Sequence, residues 1–239
     1  MSRIDGRGPA DLRPVLYETG YLEWAEGSVL LEMGNTKVLC AASYEPGVPP
    51  FLQGKGTGWV TAEYSMLPRS TQVRTPREAS RGRQSGRTLE IQRLVGRSLR
   101  AVTRLDQLPE ATFWVDCDVL QADGGTRTAS ITGGYIALAL AVRTMKERGV
   151  VDAGALADSV AAVSAGIVDG QGVLDLTYEE DARAEVDFNV VMTGSGKLVE
   201  VQGTAEGEPF SREDLDAMLS QAATGIDRLT AVQREASGA

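Results

Sequence analysis

The segment Asp123-Gly124-Gly125-Thr126-Arg127-Thr128 stands between a strand-like run and a long apolar stretch with helical character. Two adjacent glycines let the backbone approach a ligand closely, and a helix starting here offers unpaired N–H groups and the positive end of its dipole. Thr126 adds a hydroxyl and Arg127 a forked cation. That combination suits an anion. Ser85-Gly86-Arg87-Thr88 opens a second helical stretch in the same fashion, and Arg87 falls in its first turn, where a cation opposes the dipole unless an anion also sits there. Two such starts can clamp one phosphate-sized group. Each segment alone also has a plainer reading, as a loop-to-helix turn capped by a hydroxyl.

Carboxylates supply the complement. Glu179-Glu180-Asp181 falls in a turn, and Asp187 alternates with Val186 and Phe188 along the next strand, so it faces the other side from them. Asp181 and Asp187 form a pair that can hold Mg²⁺, which takes few carboxylates together with water and phosphate oxygens. A solvated acidic turn is the alternative. The chain has no histidine, which removes His-dependent triads, Cys-His nucleophiles, helical His-pair zinc sites and His general bases. Its chemistry must rest on carboxylates, arginines, hydroxyls, backbone amides or a hard metal. Gly194-Ser195-Gly196-Lys197 lacks the leading Gly and the closing Ser or Thr of a nucleotide-binding loop and reads as a hairpin turn.

Charge is unevenly spread. The net charge is −9, yet the segment from Arg69 to Arg104 holds ten Arg and no Lys against Glu78 and Glu90, a local +8 set against −17 for the rest. Such asymmetry marks either a polyanion-binding face or a helix face with carboxylate partners elsewhere, and the uniform use of Arg favours forked contacts to phosphate or carboxylate.

The elements that must position these residues follow from periodicity. Alternating runs at 15–24, 28–33 and 36–43 predict antiparallel strands, and 46–58 is a Gly/Pro loop. Spacing of apolar residues predicts a helix over 86–104, with Arg93, Arg97, Arg100 and Arg104 as a basic stripe, then a strand over 112–121 and a mostly apolar, buried helix over 129–148. A short helix at 155–162, strands at 163–169, 173–178, 184–192 and 197–203, and a final helix from Ser211 to about Gln233 complete an α+β pattern. No linker divides 1–239, which reads as a single domain with a C-terminal tail from about 235. At 42% apolar content, with no run long enough to span a bilayer and no apolar leader, the chain reads as a globular protein of the cytoplasm without a membrane partner. Cys40 and Cys117 sit in strand-like runs and read as buried small hydrophobes.

Seven stretches, in order, carry a family resemblance: DGRGPADLRPV from Asp5, GNTKVLC from Gly34, GWVTAEYSMLP from Gly58, QSGRTLEIQRLVGRSLRA from Gln84, DCDVLQADGGTRTASITG from Asp116, EVDFNVVMT from Glu185 and VEVQGTAEGEPF from Val199. Over nearly its full length the chain resembles the bacterial ribonuclease PH family. The resemblance implies that family's α+β fold, antiparallel and mixed sheets packed with central helices, assembled as a homohexameric ring, a trimer of dimers. It implies a 3′→5′ exoribonuclease that uses inorganic phosphate as co-substrate, trims RNA, chiefly tRNA precursors, and releases nucleoside diphosphates. Arg87, Gly125, Thr126 and Arg127 map onto the family's phosphate-binding residues, and Asp181 and Asp187 onto its paired aspartates, associated with Mg²⁺ and with protonating the leaving oxygen. Arg69, Arg74 and Arg77 map onto arginines that contact RNA or serve assembly, and Arg93 and Arg97 of the basic stripe are taken with them. Arg83, where relatives often carry Lys, and Gly133-Gly134 are mild departures. A catalytically silent RNA-binding ring subunit is the competing reading; such a subunit is expected to have lost these arginines or aspartates.

Overall fold

The computed structural model describes residues 3–152 and 154–238. Five strands, β1 (Val15–Thr19), β2 (Gly27–Met33), β3 (Thr36–Pro46), β4 (Trp59–Met66) and β5 (Ala111–Gln121), form one sheet in the order β1-β2-β3-β5-β4. Only β4 and β5 pair in parallel there, joined through α1 (Gly86–Ala101), as a parallel pair requires a crossover. The second sheet, ordered β7-β6-β8-β9, is antiparallel and comprises β6 (Val160–Val168), β7 (Gln171–Leu174), β8 (Val186–Thr193) and β9 (Leu198–Ala205). The remaining helices are α2 (Thr126–Glu147), the single turn α3 (Tyr178–Asp181) and α4 (Arg212–Ser237). This is the expected α+β architecture, one mixed and one antiparallel sheet packed with central helices.

Helix α2 is the keystone. It packs on β2, β3 and β5 of one sheet and on β6 of the other, with α4 alongside. Every residue from Thr128 to Val142 is buried, so its apolar character runs around the whole helix rather than along one stripe. A Cβ on Gly133 would stand 2.9 Å from the Cys40 sulfur, so glycine is what lets helix and sheet approach this closely. Cys40 and Cys117 are both free and buried, their sulfurs 3.8 Å apart across β3 and β5.

Several elements depart from their predicted form. The helix expected over 155–162 is absent: Leu156 bridges to Thr103, and β6 begins at Val160. Its first six residues are all buried, and a strand covered on both faces reads as a plain apolar run that periodicity cannot separate from a helix. The strand predicted to reach Tyr178 stops at Leu174, because Asp175 takes a left-handed backbone (φ +54°) and Thr177 then caps α3. The acidic turn 179–181 is thus one helical turn with a capping box between Thr177 and Glu180. Strand β1 ends at Thr19 rather than Trp24, α2 starts three residues earlier than predicted, and β4, with Val60, Ala62 and Tyr64 alternating inward, is an additional strand. Helix α4 runs to Ser237, whose carbonyl accepts from Arg143 at 2.8 Å, so the expected tail from 235 is helical through Ser237 and capped by Gly238.

The N-terminal segment ties the far end of the chain to the site region. The Arg3 guanidinium donates to both carboxylate oxygens of Glu180, at 2.8 and 2.7 Å, and to the carbonyls of Leu174 and Asp175, all away from water. Burial of Glu180 opposes its ionisation, but the Arg3 fork, the Thr177 N–H and the nearby Arg7 outweigh that and hold its pKa down at about 2. Because the folded value lies below the unfolded 4.5, the stabilisation is complete above pH 4.5 and is lost as pH falls toward about 2. Glu180→Gln is therefore expected to lower stability by about 3–5 kcal/mol at pH 7, the scale of breaking a buried ion pair. Urea titrations should show the gap to wild type closing between those two pH values; a gap independent of pH would mean that the pair contributes through packing alone.

Candidate active site

Helix α1 starts at Gly86 as the sequence predicts, and α2 starts at Thr126, within the Asp123–Thr128 segment. Ser85 caps α1, its hydroxyl accepting from the Thr88 N–H at 3.2 Å, and Glu78 accepts from the Thr88 hydroxyl at 2.9 Å. At α2 no side chain caps the end; Gly124 and Gly125 take left-handed backbones (φ +75° and +64°), and Ala129 is the first residue whose N–H bonds back to the turn. Among the described residues no acceptor takes the N–H groups of Gly125, Thr126, Arg127 or Thr128. They form a set of donors at a positive helix end. A Cβ on Gly124 would meet the Leu176 carbonyl at 2.4 Å, so this turn is pressed against the approach to α3.

Tyr64 of β4, buried and not among the residues predicted for the site, joins the two starts. Its hydroxyl shares a 2.9 Å hydrogen bond with the Thr126 hydroxyl and accepts from Arg87 at 3.4 Å. Only the inward alternation of β4 could have pointed to it. Tyr64→Phe keeps the ring and removes the link, so KM for phosphate is expected to rise about 2- to 10-fold, the worth of one net hydrogen bond. Steady-state kinetics at varied phosphate check this, with KM for RNA serving as the control; parallel rises in both would assign Tyr64 to general packing.

Arg127 leaves α2 toward β9, donating to the Gln202 side chain at 2.6 Å and pairing with Glu90 of α1 at 3.5 Å. It also lies within electrostatic reach of Asp181 and Asp187, as Arg87 does of Asp181. For Asp187, partial withdrawal from water raises the pKa, with Asp181 and Glu206 adding to the rise while Arg127 and a hydrogen bond from Asn189 oppose it. Asp181 is likewise raised, first by desolvation, with Arg127 and Arg87 pulling it down and Glu206 pushing it up. The structure thus brings Arg87, Gly125, Thr126, Arg127, Asp181 and Asp187 into one site and adds Tyr64, Gln202 and Glu206. Nothing in local spacing marks the last two, which arrive on β9 and just beyond it.

The other arginines are dispersed. Arg69, Arg74 and Arg77 are exposed on the loop before α1. Arg77 lines a cavity of about 790 Å³ with Arg81, Arg83 and Arg87, while Arg69 donates to the Gln72 carbonyl of its own loop at 3.0 Å. Of the predicted basic stripe, Arg97 pairs with Glu200, Arg100 donates to the Val60 carbonyl and lies over the Trp59 ring, and Arg104 donates to the Gly154 carbonyl. Among the described residues Arg93 alone of the four is exposed without a protein acceptor, so the carboxylate-partner reading of that face holds in part.

No group of three or more His, Cys, Asp or Glu converges as a metal cluster among the described residues. Two aspartates beside free helix-start donors and two arginines nonetheless fit Mg²⁺, which is commonly held by one or two carboxylates with water and substrate phosphate oxygens. No helix among the described residues is long and apolar enough to cross a membrane.

Two family models cover most of the chain: 3′ exoribonuclease family domain 1 matches residues 11–143 and domain 2 of the same family matches residues 158–225. A protein named Ribonuclease PH from Moorella thermoacetica is 59% identical over 238 residues, covering all of this chain and 95% of that one. Ribonuclease PH from Syntrophomonas wolfei is 56% identical with both chains fully covered. Among solved structures, rice Rrp46 superposes with a TM-score of 0.80 at 21% identity, over 98% of this chain and 100% of that one. An Archaeoglobus fulgidus exosome structure, with RNA bound to its active site, gives 0.78 at 22% identity, over 96% and 91%. The two solved structures support the fold, and the full-length matches go further: the chain belongs to the ribonuclease PH branch of the 3′ exoribonuclease family.

Proposed function

We propose that the site between the starts of α1 and α2 and the aspartates of α3 and β8 carries out phosphate-dependent 3′→5′ exoribonucleolysis, with the following division of labour. Inorganic phosphate sits against the free N–H groups of Gly125 to Arg127, the Thr126 hydroxyl and the Arg127 and Arg87 guanidiniums. One of its oxygens attacks the phosphorus of the last phosphodiester. The bond from that phosphorus to the 3′ oxygen of the preceding nucleotide breaks, giving a nucleoside 5′-diphosphate and an RNA one residue shorter with a free 3′ hydroxyl. An oxyanion attacking a polyanion is prohibitive unless cations neutralise both, which is the work of the two arginines. Phosphate is already a nucleophile, so the absence of histidine costs the mechanism nothing.

Asp187 gives a proton to the leaving oxygen, and Asp181 shares its neighbourhood. A carboxyl raised by desolvation and by a second carboxylate keeps its proton to higher pH than an ordinary Asp, as an acid at this position requires. Asp181, joined by Asp187 whenever that carboxyl is ionised, would also hold Mg²⁺, which when bound supplies charge neutralisation between the phosphates. The exposed Arg69, Arg74, Arg77 and Arg93, with Arg97, guide RNA or serve subunit contacts. The chain works as one domain over 1–239, in the cytoplasm, as a homohexamer built as a trimer of dimers, and its main substrates are tRNA precursors. Retention of both arginines and both aspartates speaks against a silent ring subunit.

The observation that carries this reading is the convergence of Arg87 and Arg127, from two helix starts linked by Tyr64, on the aspartate pair. Incubation with a 3′-extended tRNA precursor and Mg²⁺, with and without inorganic phosphate, tests it. Nucleoside diphosphates released only with phosphate are expected. Monophosphates released without phosphate would replace phosphorolysis by hydrolysis, and RNA binding with no release would point to the silent subunit.

A further inference from the structure

Arg13 is 4% exposed and sits beneath the phosphate turn. Its Nε and Nη2 donate to the two carboxylate oxygens of Asp175 at 3.0 and 2.7 Å, and its backbone N–H donates to Asp175 as well, at 2.7 Å. Asp175 is fully buried in a left-handed conformation (φ +54°), one that Asp adopts more readily than most residues with a side chain. The pair neutralises Arg13, and the remaining guanidinium protons go to the turn and to Thr36: Nη1 donates to the Asp123 carbonyl and to the Thr36 hydroxyl, the latter at 3.4 Å, and Nη2 reaches the Gly124 carbonyl at 3.5 Å.

Thr36, buried at the start of β3, completes the same arrangement. Its hydroxyl donates to the Gly124 carbonyl at 2.7 Å and accepts from the Asp123 N–H at 3.0 Å. The Asp123 side chain, in turn, accepts from the N–H of Tyr178, the first residue of α3, at 3.1 Å. In a trans peptide the carbonyl and the N–H point in opposite directions. Holding the Asp123 carbonyl therefore directs the Gly124 N–H, and holding the Gly124 carbonyl directs the Gly125 N–H, away from Arg13 and Thr36. Those N–H groups have no acceptor among the described residues. Two glycines in succession with positive φ make a turn that is easily rotated, so the direction of its donors has to be imposed from outside.

We propose that Arg13 and Thr36 are positioning residues for the phosphate co-substrate, fixing the Asp123 and Gly124 carbonyls so that the backbone donors of the α2 turn point at the anion. This rests on the assignment of that turn as the phosphate site. Neither residue touches phosphate or RNA, and Arg13, through Asp175 and the Asp123 side chain, also holds the turn in register with the helix that carries Asp181.

The test uses the full-length protein and four variants: Thr36→Val, close to isosteric; Arg13→Lys, which keeps a charge beside Asp175 but loses the fork; Arg127→Ala; and Thr103→Val, a buried hydroxyl on the Leu99 carbonyl far from the turn. KM for phosphate, KM for RNA and kcat at saturating phosphate are measured, together with the rise in Tm caused by inorganic phosphate without RNA. For Thr36→Val and Arg13→Lys, KM for phosphate should rise about ten-fold, in line with a misdirected hydrogen bond, while KM for RNA and kcat stay within about two-fold. The phosphate-induced rise in Tm should shrink in both and be kept in Thr103→Val. An unchanged KM for phosphate in Thr36→Val beside a large effect of Arg127→Ala would overturn the positioning role and leave the phosphate site standing. If Arg127→Ala also leaves phosphate dependence unchanged, the site assignment and this proposal fall together. Equal rises in both KM values would mean general distortion and overturn the proposal too. Should Arg13→Lys not fold, Thr36→Val decides.

Discussion

Replacing Arg127 by Ala is expected to cut kcat/KM for phosphate by about 10²- to 10³-fold, the scale seen when a preorganised donor to a reacting oxyanion is lost. Arg127, at the α2 start, acts electrostatically on both aspartates. Its contacts with Gln202 and Glu90 lie near the surface and survive as contacts with each other, since Gln202 also donates to Glu90 at 3.3 Å. The fold should therefore change by no more than about 1 kcal/mol, as for other partly exposed ion pairs. Phosphate-dependence curves and thermal melts of the same preparation separate the two. A variant with near-normal turnover at low phosphate would remove Arg127 from the site.

Asp187→Asn is expected to fail differently. The amide is nearly the same shape but has no acidic proton, so kcat should fall by about 10²- to 10⁴-fold, the usual contribution of a positioned general acid. RNA affinity, measured by filter retention, should hold, since a group acting on the leaving oxygen contributes mainly in the transition state. Equal losses in rate and affinity would give Asp187 a binding role. The folded-state pKa of Asp187 lies above the unfolded 3.8, so its ionisation opposes folding: there is no penalty below pH 3.8, and the penalty grows as pH rises through the raised value. In chelator, Asp187→Asn should thus be more stable than wild type at pH 7 and equal to it in acid. A loss of stability at pH 7 would mean that nearby Arg127 already outweighs the desolvation.

Most of the site was readable because its members sit at places where local rules speak. Ser85 and the paired glycines announce helix starts, and Asp187 shows its direction through the period of a strand. What could not be read depends on partners far away in sequence. Glu180 resembles its neighbours Glu179 and Asp181 in composition, and only the Arg3 fork distinguishes it as structural. Arg13 looks like any arginine until Asp175, 162 residues on, is beside it. Likewise the basic stripe of α1 was periodic enough to predict, while the spending of Arg97 on Glu200 and of Arg100 on Val60 and Trp59 required the folded sheet. The error at 155–162 has the same origin, since burial on both faces erases the alternation that marks a strand.

The tie between Arg3 and Glu180 spans 177 positions, and the site itself draws on residues from Arg13 to Glu206. A chain growing on a ribosome displays the arginines of α1 and the α2 turn well before either aspartate has been made. Such a fragment has the arginines of α1 and the donors of the α2 turn without the carboxylates that face them in the folded chain. The α2 turn therefore meets Asp181, Asp187 and Glu206 only after the second sheet has been made.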